Sequence, residues 1–436
     1  MIRRRPAPPL RRLDSRVSRR GLLGAGVLAG VLAASGVPLQ ARTRTGTLRI
    51  GLAGALPRHD WTGAPAVLAQ GAVHETLTEI RATGELVGEL AQAWEATPDA
   101  RLWHITLRRD ALFHDGRDVR SSDVLASLAR HLGGLLAHVT SLEAQGPHAL
   151  RVTLPEGDPD FPLLLADPHL IIGPEGTLDG TGTGLYRVSD RQAPGLLRLD
   201  RVASHWKDGQ AGWFEAVEAV SLPAPLQRLE ALLAGDVDVV DPLPPDLLRE
   251  ALAAGFPATA VQGNRQLHAR LPAGADPALS GHLRHALDRA AIAADWSGEP
   301  AADHPLGPLH PALALLSVPA PDPAASLGGL SPILSAWEGS PTEEATFRRA
   351  LSGPWSALNG DPTLLRHLAA ARVTEGPERA AHYAAAQVLC AERAPVVVAA
   401  HIPAVTLHAP GLAHHAAVSP LAPLDGGRLA ERWWFA

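Results

Sequence analysis

The sequence predicts a mixed α/β protein built from two or three domain-sized units, and three observations carry that reading. The chain has 436 residues and 46% hydrophobic content, enough for more than one core, because single cores stop growing at roughly 250–300 residues. Between Trp103 and Leu132 a strand pattern of period two gives way, through a turn, to a helical pattern. Between Leu226 and Val240 the order reverses, with an apolar helix leading into a strand.

Taken in order, Leu48–Leu52 (LRIGL) reads as a short apolar strand followed by an early turn. Trp103, Ile105 and Leu107 alternate with His104, Thr106 and Arg108, as in a strand with one buried face. Asp115-Gly116 supplies a turn whose glycine can take positive φ, and Ser121 or Ser122 is the expected cap of the next helix. Val124, Leu128 and Leu132 recur at i, i+4 and i+8, one face of that helix. Leu226–Leu233 forms a second helix closed by Gly235, and Asp236-Val237-Asp238-Val239-Val240 continues as a strand with its aspartates towards solvent. Cys390 is the only cysteine, so no intramolecular disulfide is possible; its helical surroundings predict a buried, inert thiol. No internal repeat at solenoid spacing is present.

The first 41 residues predict an address. Ser18-Arg19-Arg20-Gly21-Leu22-Leu23 sits between an arginine-rich start and an apolar stretch from Gly21 to Ala34, the layout of a twin-arginine export signal. That stretch is shorter than the ~20 residues a membrane-spanning helix needs, so it reads as a removable segment cut near Gly36 or Ala41. Residues 1–41 hold eight arginines and one aspartate, a balance of +7, so removing them takes the net charge from −6 to −13. Such an acidic chain without basic runs excludes nucleic acid as a partner, because that binding depends on Lys and Arg displacing counterions. Lys207, the only lysine, excludes a lysine-dependent phosphate loop.

The run Leu90–Val124 resembles the core stretch of the family 5 extracytoplasmic solute-binding proteins, the receptor subunits of peptide and nickel ABC importers. Leu90, Ala91, Trp94, Leu107, Arg108, Phe113, His114, Asp115, Gly116, Asp123 and Val124 fill the family's positions. Further matches are Gly182–Val188, His205-Trp206, Leu226–Val240, the helix-like His282–Ile292, and Glu378–Leu389 followed by Ala394–Val398. The resemblance implies a two-lobed periplasmic binding protein-like fold of class II (cluster C type) with a hinge. Lobe I would span 47–260, with a subdomain at about 72–178, lobe II 261–404, and residues 405–436 would return to lobe I. A Pro/Ala-rich connector at 305–330 replaces family elements, so the second lobe is expected to be shortened.

The resemblance further implies an exported, monomeric receptor without cofactor or catalysis, handed outward by the twin-arginine translocase. It would capture a peptide or similar small solute and deliver it to ABC permease subunits. Trp337 aligns with a tryptophan near the ligand. Where oligopeptide-binding relatives place an aspartate for the peptide ammonium this chain has Ser340, which leaves Glu338 or Glu343 to substitute. Trp61 follows the first strand as a ligand wall or a lobe anchor. Arg265 lies near the expected crossover, solvated at the surface or meeting an anionic group. His401, His408, His414 and His415 are candidates for nickel, bound directly or as a chelate. A secreted hydrolase is the enzyme alternative, but the chain has no G-x-S-x-G elbow, no H-E-x-x-H helix and no paired-cysteine metal motif. A sensing or interaction protein that has lost transport is the third class.

Overall fold

The computed structural model describes residues 44–189, 193, 195–272, 279–306, 327, 330–393 and 396–436. The expected leader with Arg19 and Arg20, and most of the connector 305–330, lie outside these residues.

Three sheets organise the chain. The largest has seven strands, ordered Ala258–Val261, Ala404–His408, Val239–Val240, Thr47–Leu52, Ala216–Ser221, Leu196–Arg201 and Tyr186–Val188. Thr47–Leu52 is its central strand and runs parallel to both neighbours. Leu48, Ile50 and Leu52 are fully buried, packed in one core with Leu199, Val217, Val239 and Trp433. Gly184, in the segment leading into Tyr186–Val188, donates its N–H to Val73 O at 2.8 Å. A Cβ there would lie 2.2 Å from Ala72 O, so only glycine allows the approach.

The second sheet is antiparallel, ordered Ala91–Ala96, Leu102–Leu107, Ala149–Thr153 and Ser141–Ala144. Trp103, Ile105 and Leu107 are buried as the alternation requires. Each such side chain contributes about 1.5–3 kcal/mol on removal from water. The helix after the Asp115-Gly116 turn spans Ser121–Ala129. Its start corrects the expected serine cap: Ser121 Oγ donates to Gly146 O at 2.6 Å, and Asp123 accepts the Arg120 N–H at 2.9 Å. Leu132 lies beyond the last turn and is exposed, because the helix stops short of Gly133-Gly134.

The third sheet, ordered Glu299–Pro300, Val397–His401, Arg265–Arg270 and Ile333–Glu338, is also antiparallel. Helices Glu343–Leu351, Pro362–Val373 and Gly376–Glu392 supply its largest core, which contains Phe347, Trp355, Tyr383 and Cys390. Burial pushes the Cys390 thiol up to about 12, so it stays protonated and unreactive at neutral pH. The segment His282–Ile292 is two helices, Ser280–Ala286 and Arg289–Asp295, because Leu287 is extended and Asp288 caps the second by accepting the Ala291 N–H at 2.9 Å.

The helix Pro225–Ala234 ends on Gly235 at φ 77°, the left-handed cap. Asp238 departs from the solvent-facing expectation. It is buried and accepts Arg49 Nη2 at 2.7 Å and the Arg49 backbone N–H at 2.8 Å, tying the central strand to its neighbour.

The chain changes sheet twice at one place. It leaves the seven-stranded sheet after Val261 and enters the third sheet at Arg265, then leaves it at His401 and returns at Ala404. The two crossings touch, with Ile402 N–H donating to Arg265 O at 2.9 Å. The result is two lobes joined by a double connection. They also meet away from the crossings: Arg372 pairs with Glu156 at 3.2 Å, Arg379 pairs with Asp160, and Ala345 packs into the core of the second sheet.

Candidate solute site between the lobes

A cavity of about 430 Å³ opens between the lobes, beside the double crossing. This volume falls within the roughly 300–1,000 Å³ typical of small-molecule sites. Lobe I contributes the loop Trp61–Ala66, the end of the Ser121–Ala129 helix at Arg130 and His131, and the Ala166–Ile171 stretch. Lobe II contributes Glu338, Gly339, Pro341 and Arg349, and the C-terminal segment adds Ser419, Arg428 and Arg432.

Of the residues singled out in the sequence, the structure brings Trp61 and Glu338 to this wall. Trp61 is buried, edge-on to His74 with ring centroids 5.9 Å apart, so one face belongs to the lobe I core while the residue also lines the cavity. Glu338 is held by Arg265 Nε at 3.0 Å. Arg265 is itself buried, which corrects its reading as a solvated surface residue: strand register places it opposite Glu338, and the pair forms within the sheet.

Trp337 and Glu343 lie outside the lining. Strand alternation sends Trp337 to the other face from Glu338, where it stacks on His268 at 5.5 Å and meets Trp355 edge-on. It still touches the site indirectly, since the Arg349 guanidinium lies 6.0 Å from its ring centroid. Glu343, in the first turn of its helix, approaches Arg379 at 3.7 Å. His401 separates from the other three histidines and packs against His304 in lobe II, whereas His408 and His414 meet edge-on at 5.8 Å and flank Trp433, and His415 meets Trp434. Burial pushes His401 well below the usual imidazole range, with His304 and His268 adding to the effect.

Several lining residues carry no flag in the sequence. Arg130 caps the Ser121–Ala129 helix, and its guanidinium donates to Gly176 O and Thr62 Oγ1, both at 2.8 Å. Arg349 follows Arg348, but helical geometry turns them apart. Arg348 pairs with Glu344 at 2.6 Å, while Arg349 faces the cavity.

Behind Arg428 and Arg432 lies a buried charged cluster. Lys207 Nζ donates to Glu89 at 2.6 Å, Glu79 at 3.1 Å and Glu431, with Glu75 at 3.7 Å. Arg428 grips both oxygens of Glu89, at 2.7 and 2.9 Å. Arg432 bridges Glu79 at 2.9 Å and Asp425 at 3.4 Å. Burial alone would raise the Glu79 and Glu89 carboxyls, but the surrounding cations hold both below the usual range. Among the described residues, Glu79, Glu89 and Glu431 are the one group whose possible metal-ligand atoms converge, within 4.8 Å. The Lys207 ammonium already bonds all three, so the chemistry of the set fits a cation belonging to the chain. The sequence signal for this cluster is the lone lysine in a chain whose other basic residues are arginine.

This architecture, two α/β lobes on a double connection with a cavity between them, defines the class of periplasmic binding proteins. The model of the bacterial extracellular solute-binding proteins, family 5 (middle region), matches residues 85–325, and the chain belongs to that family. The dipeptide binding protein from Pseudoalteromonas sp. SM9913, solved with Met-Leu, aligns at TM-score 0.72 and 16% identity, covering 89% of this chain and 100% of that one. AgaA from A. tumefaciens R10, solved with agropinic acid, aligns at TM-score 0.68 and 18% identity over 90% and 99% of the two chains. NikA from Brucella suis, solved with Fe(III)-EDTA, aligns at 0.67 and 18% over 87% and 99%. Among curated proteins, the HTH-type transcriptional regulator SgrR of Photorhabdus laumondii is 30% identical over 133 residues, 28% of this chain and 24% of the regulator. The match therefore spans about a quarter of that relative's length.

Proposed function

We propose that this protein is the substrate-binding component of an ABC importer, capturing a peptide or similar small solute between its lobes and delivering it to permease subunits without catalysis. The carrying observation is the cavity of about 430 Å³ lined from both lobes beside the double crossing. A solute that touches both lobes favours the closed form by the contacts it makes only there. In this reading lobe I spans 47–260 with its subdomain at about 72–178, lobe II spans 261–404, and 405–436 return to lobe I; the sheet changes at Val261–Arg265 and His401–Ala404 support those limits. Trp61 and Glu338, the latter held by Arg265, stand at the wall, and Trp337 supports it from behind through Arg349. Arg19 and Arg20 mark twin-arginine export, and the mature chain acts as a monomer. Glu79, Glu89 and Glu431 already bond Lys207 and offer no open nickel site, and nickel or a nickel chelate is the alternative ligand.

The test is a thermal-shift screen of the purified protein against peptides, opines, sugars and nickel chelates. A true solute at 100 times its Kd adds ~2.7 kcal/mol of stability. A protein that no solute stabilises, or one that turns over peptides, contradicts the proposal. The match to SgrR favours a second reading, a solute-sensing module, which a regulatory phenotype without any uptake defect would support.

A further inference from the structure

Taking the solute-binding reading as its basis, the charge of the cavity wall carries an inference about the kind of solute. The lining holds one carboxylate, Glu338, and Arg265 already neutralises it at 3.0 Å. Arg428 and Arg432 also reach the wall, but their charges are matched by Glu79, Glu89, Glu431 and Asp425. Two cations remain. Arg130 donates to two neutral oxygens and forms no ion pair among the described residues. Arg349 makes no ion pair among the described residues, and its guanidinium lies over the Trp337 ring. His131 and His169 stand at the same wall, and the His169 imidazole Nδ1 is 2.7 Å from an Asp167 carboxylate oxygen.

We propose that the site selects an anionic solute, one carrying a carboxylate or phosphate group, which Arg130 of lobe I and Arg349 of lobe II hold from opposite sides. A guanidinium presents several donors in one plane, matched to two oxygens of such an anion, and it stays charged at all physiological pH values. Because each lobe supplies one arginine, the anion draws the lobes together, coupling capture to closure.

The experiment is a binding panel on the purified full chain with three size-matched sets. The sets are carboxylates and phosphate monoesters, their neutral amides and methyl esters, and amines of the same skeletons. The anionic set should contain the binders, the carboxylate and phosphate arms separating the two sources of charge. Raising NaCl from 50 to 500 mM should weaken them, as screening requires. Arg349→Gln and Arg130→Gln should each weaken the best anion by about tenfold to a hundredfold, the usual worth of a charged hydrogen bond. Arg349→Lys, which keeps the charge, should recover part of that loss. If neutral or cationic compounds bind best, or if both glutamine variants bind the anion as well as wild type, the anion proposal falls while solute binding stands. If no compound of any set binds, the anion proposal falls, and the thermal-shift screen of the wider solute classes decides whether solute binding falls with it.

Discussion

Replacing Lys207 with methionine tests how the buried cluster holds the C-terminal segment against lobe I. In the wild type, Glu75, Glu79, Glu89 and Glu431 face Lys207, Arg428 and Arg432, and Glu89 has no exposure at all. Methionine fills similar volume but removes one of the three cations, leaving buried carboxylates under-compensated. Truncating one partner of a buried ion pair costs about 3–5 kcal/mol. With an unfolding entropy of about 2.1 cal/mol/K per residue, the roughly 360 described residues give ~0.75 kcal/mol per degree, so Tm should fall by ~4–7 °C. The pH dependence carries a sign. In the wild type the Glu79 and Glu89 carboxyls sit below their unfolded values, so their stabilisation is present above the unfolded pKa and lost as pH falls through the folded one. In the variant, burial without Lys207 raises a carboxyl, which then takes up a proton as pH drops. The deficit relative to wild type should therefore be largest at pH 7.5 and narrow towards pH 5. Scanning calorimetry of both proteins across that range measures it. A variant melting within a degree of wild type at pH 7.5, or a deficit that grows towards acid, refutes the reasoning.

Two further perturbations follow from the same geometry. Burial pushes His74 and His268 down to about 4, so both are neutral in the folded protein. Their folded pKa lies below the unfolded one, so stability is intact above about pH 6.5 and falls between there and 4, by about 2 kcal/mol per histidine at pH 5. Urea midpoints should drop accordingly, and His268→Gln should flatten the slope; a midpoint constant from pH 7 to 5 contradicts this. At the double crossing, a Cβ on Gly263 would lie 1.9 Å from Pro420 O. Gly263→Ala should cost ~1–3 kcal/mol through overpacking, measured as a lower Tm, and an unchanged Tm would show that the crossing has slack.

Much of the fold is legible in the sequence because its strands obey local rules. Trp103, Ile105 and Leu107 alternate and are buried, and Gly235 closes its helix in the left-handed region. The misses come from partners distant in sequence. Nothing near Asp238 announces that Arg49, 189 residues earlier, will bury it. The serine cap fails because Gly146 O competes for the Ser121 hydroxyl. At the site, Trp61 is readable as a loop aromatic, but Arg130 and Arg349 are not. Their importance lies in lacking a carboxylate partner, a property of the assembled wall that no sequence window contains. Arg265 and Glu338 are separately visible in the sequence, yet only strand register turns them into a neutral pair.

The most direct test of the account is a crystal structure of the protein with the best solute from the binding panel. The account predicts that solute in the cavity of about 430 Å³, touching Trp61 and Arg130 on one lobe and Arg349 on the other. A solute seated on the outer surface, or held by one lobe with the cavity left to water, would contradict it.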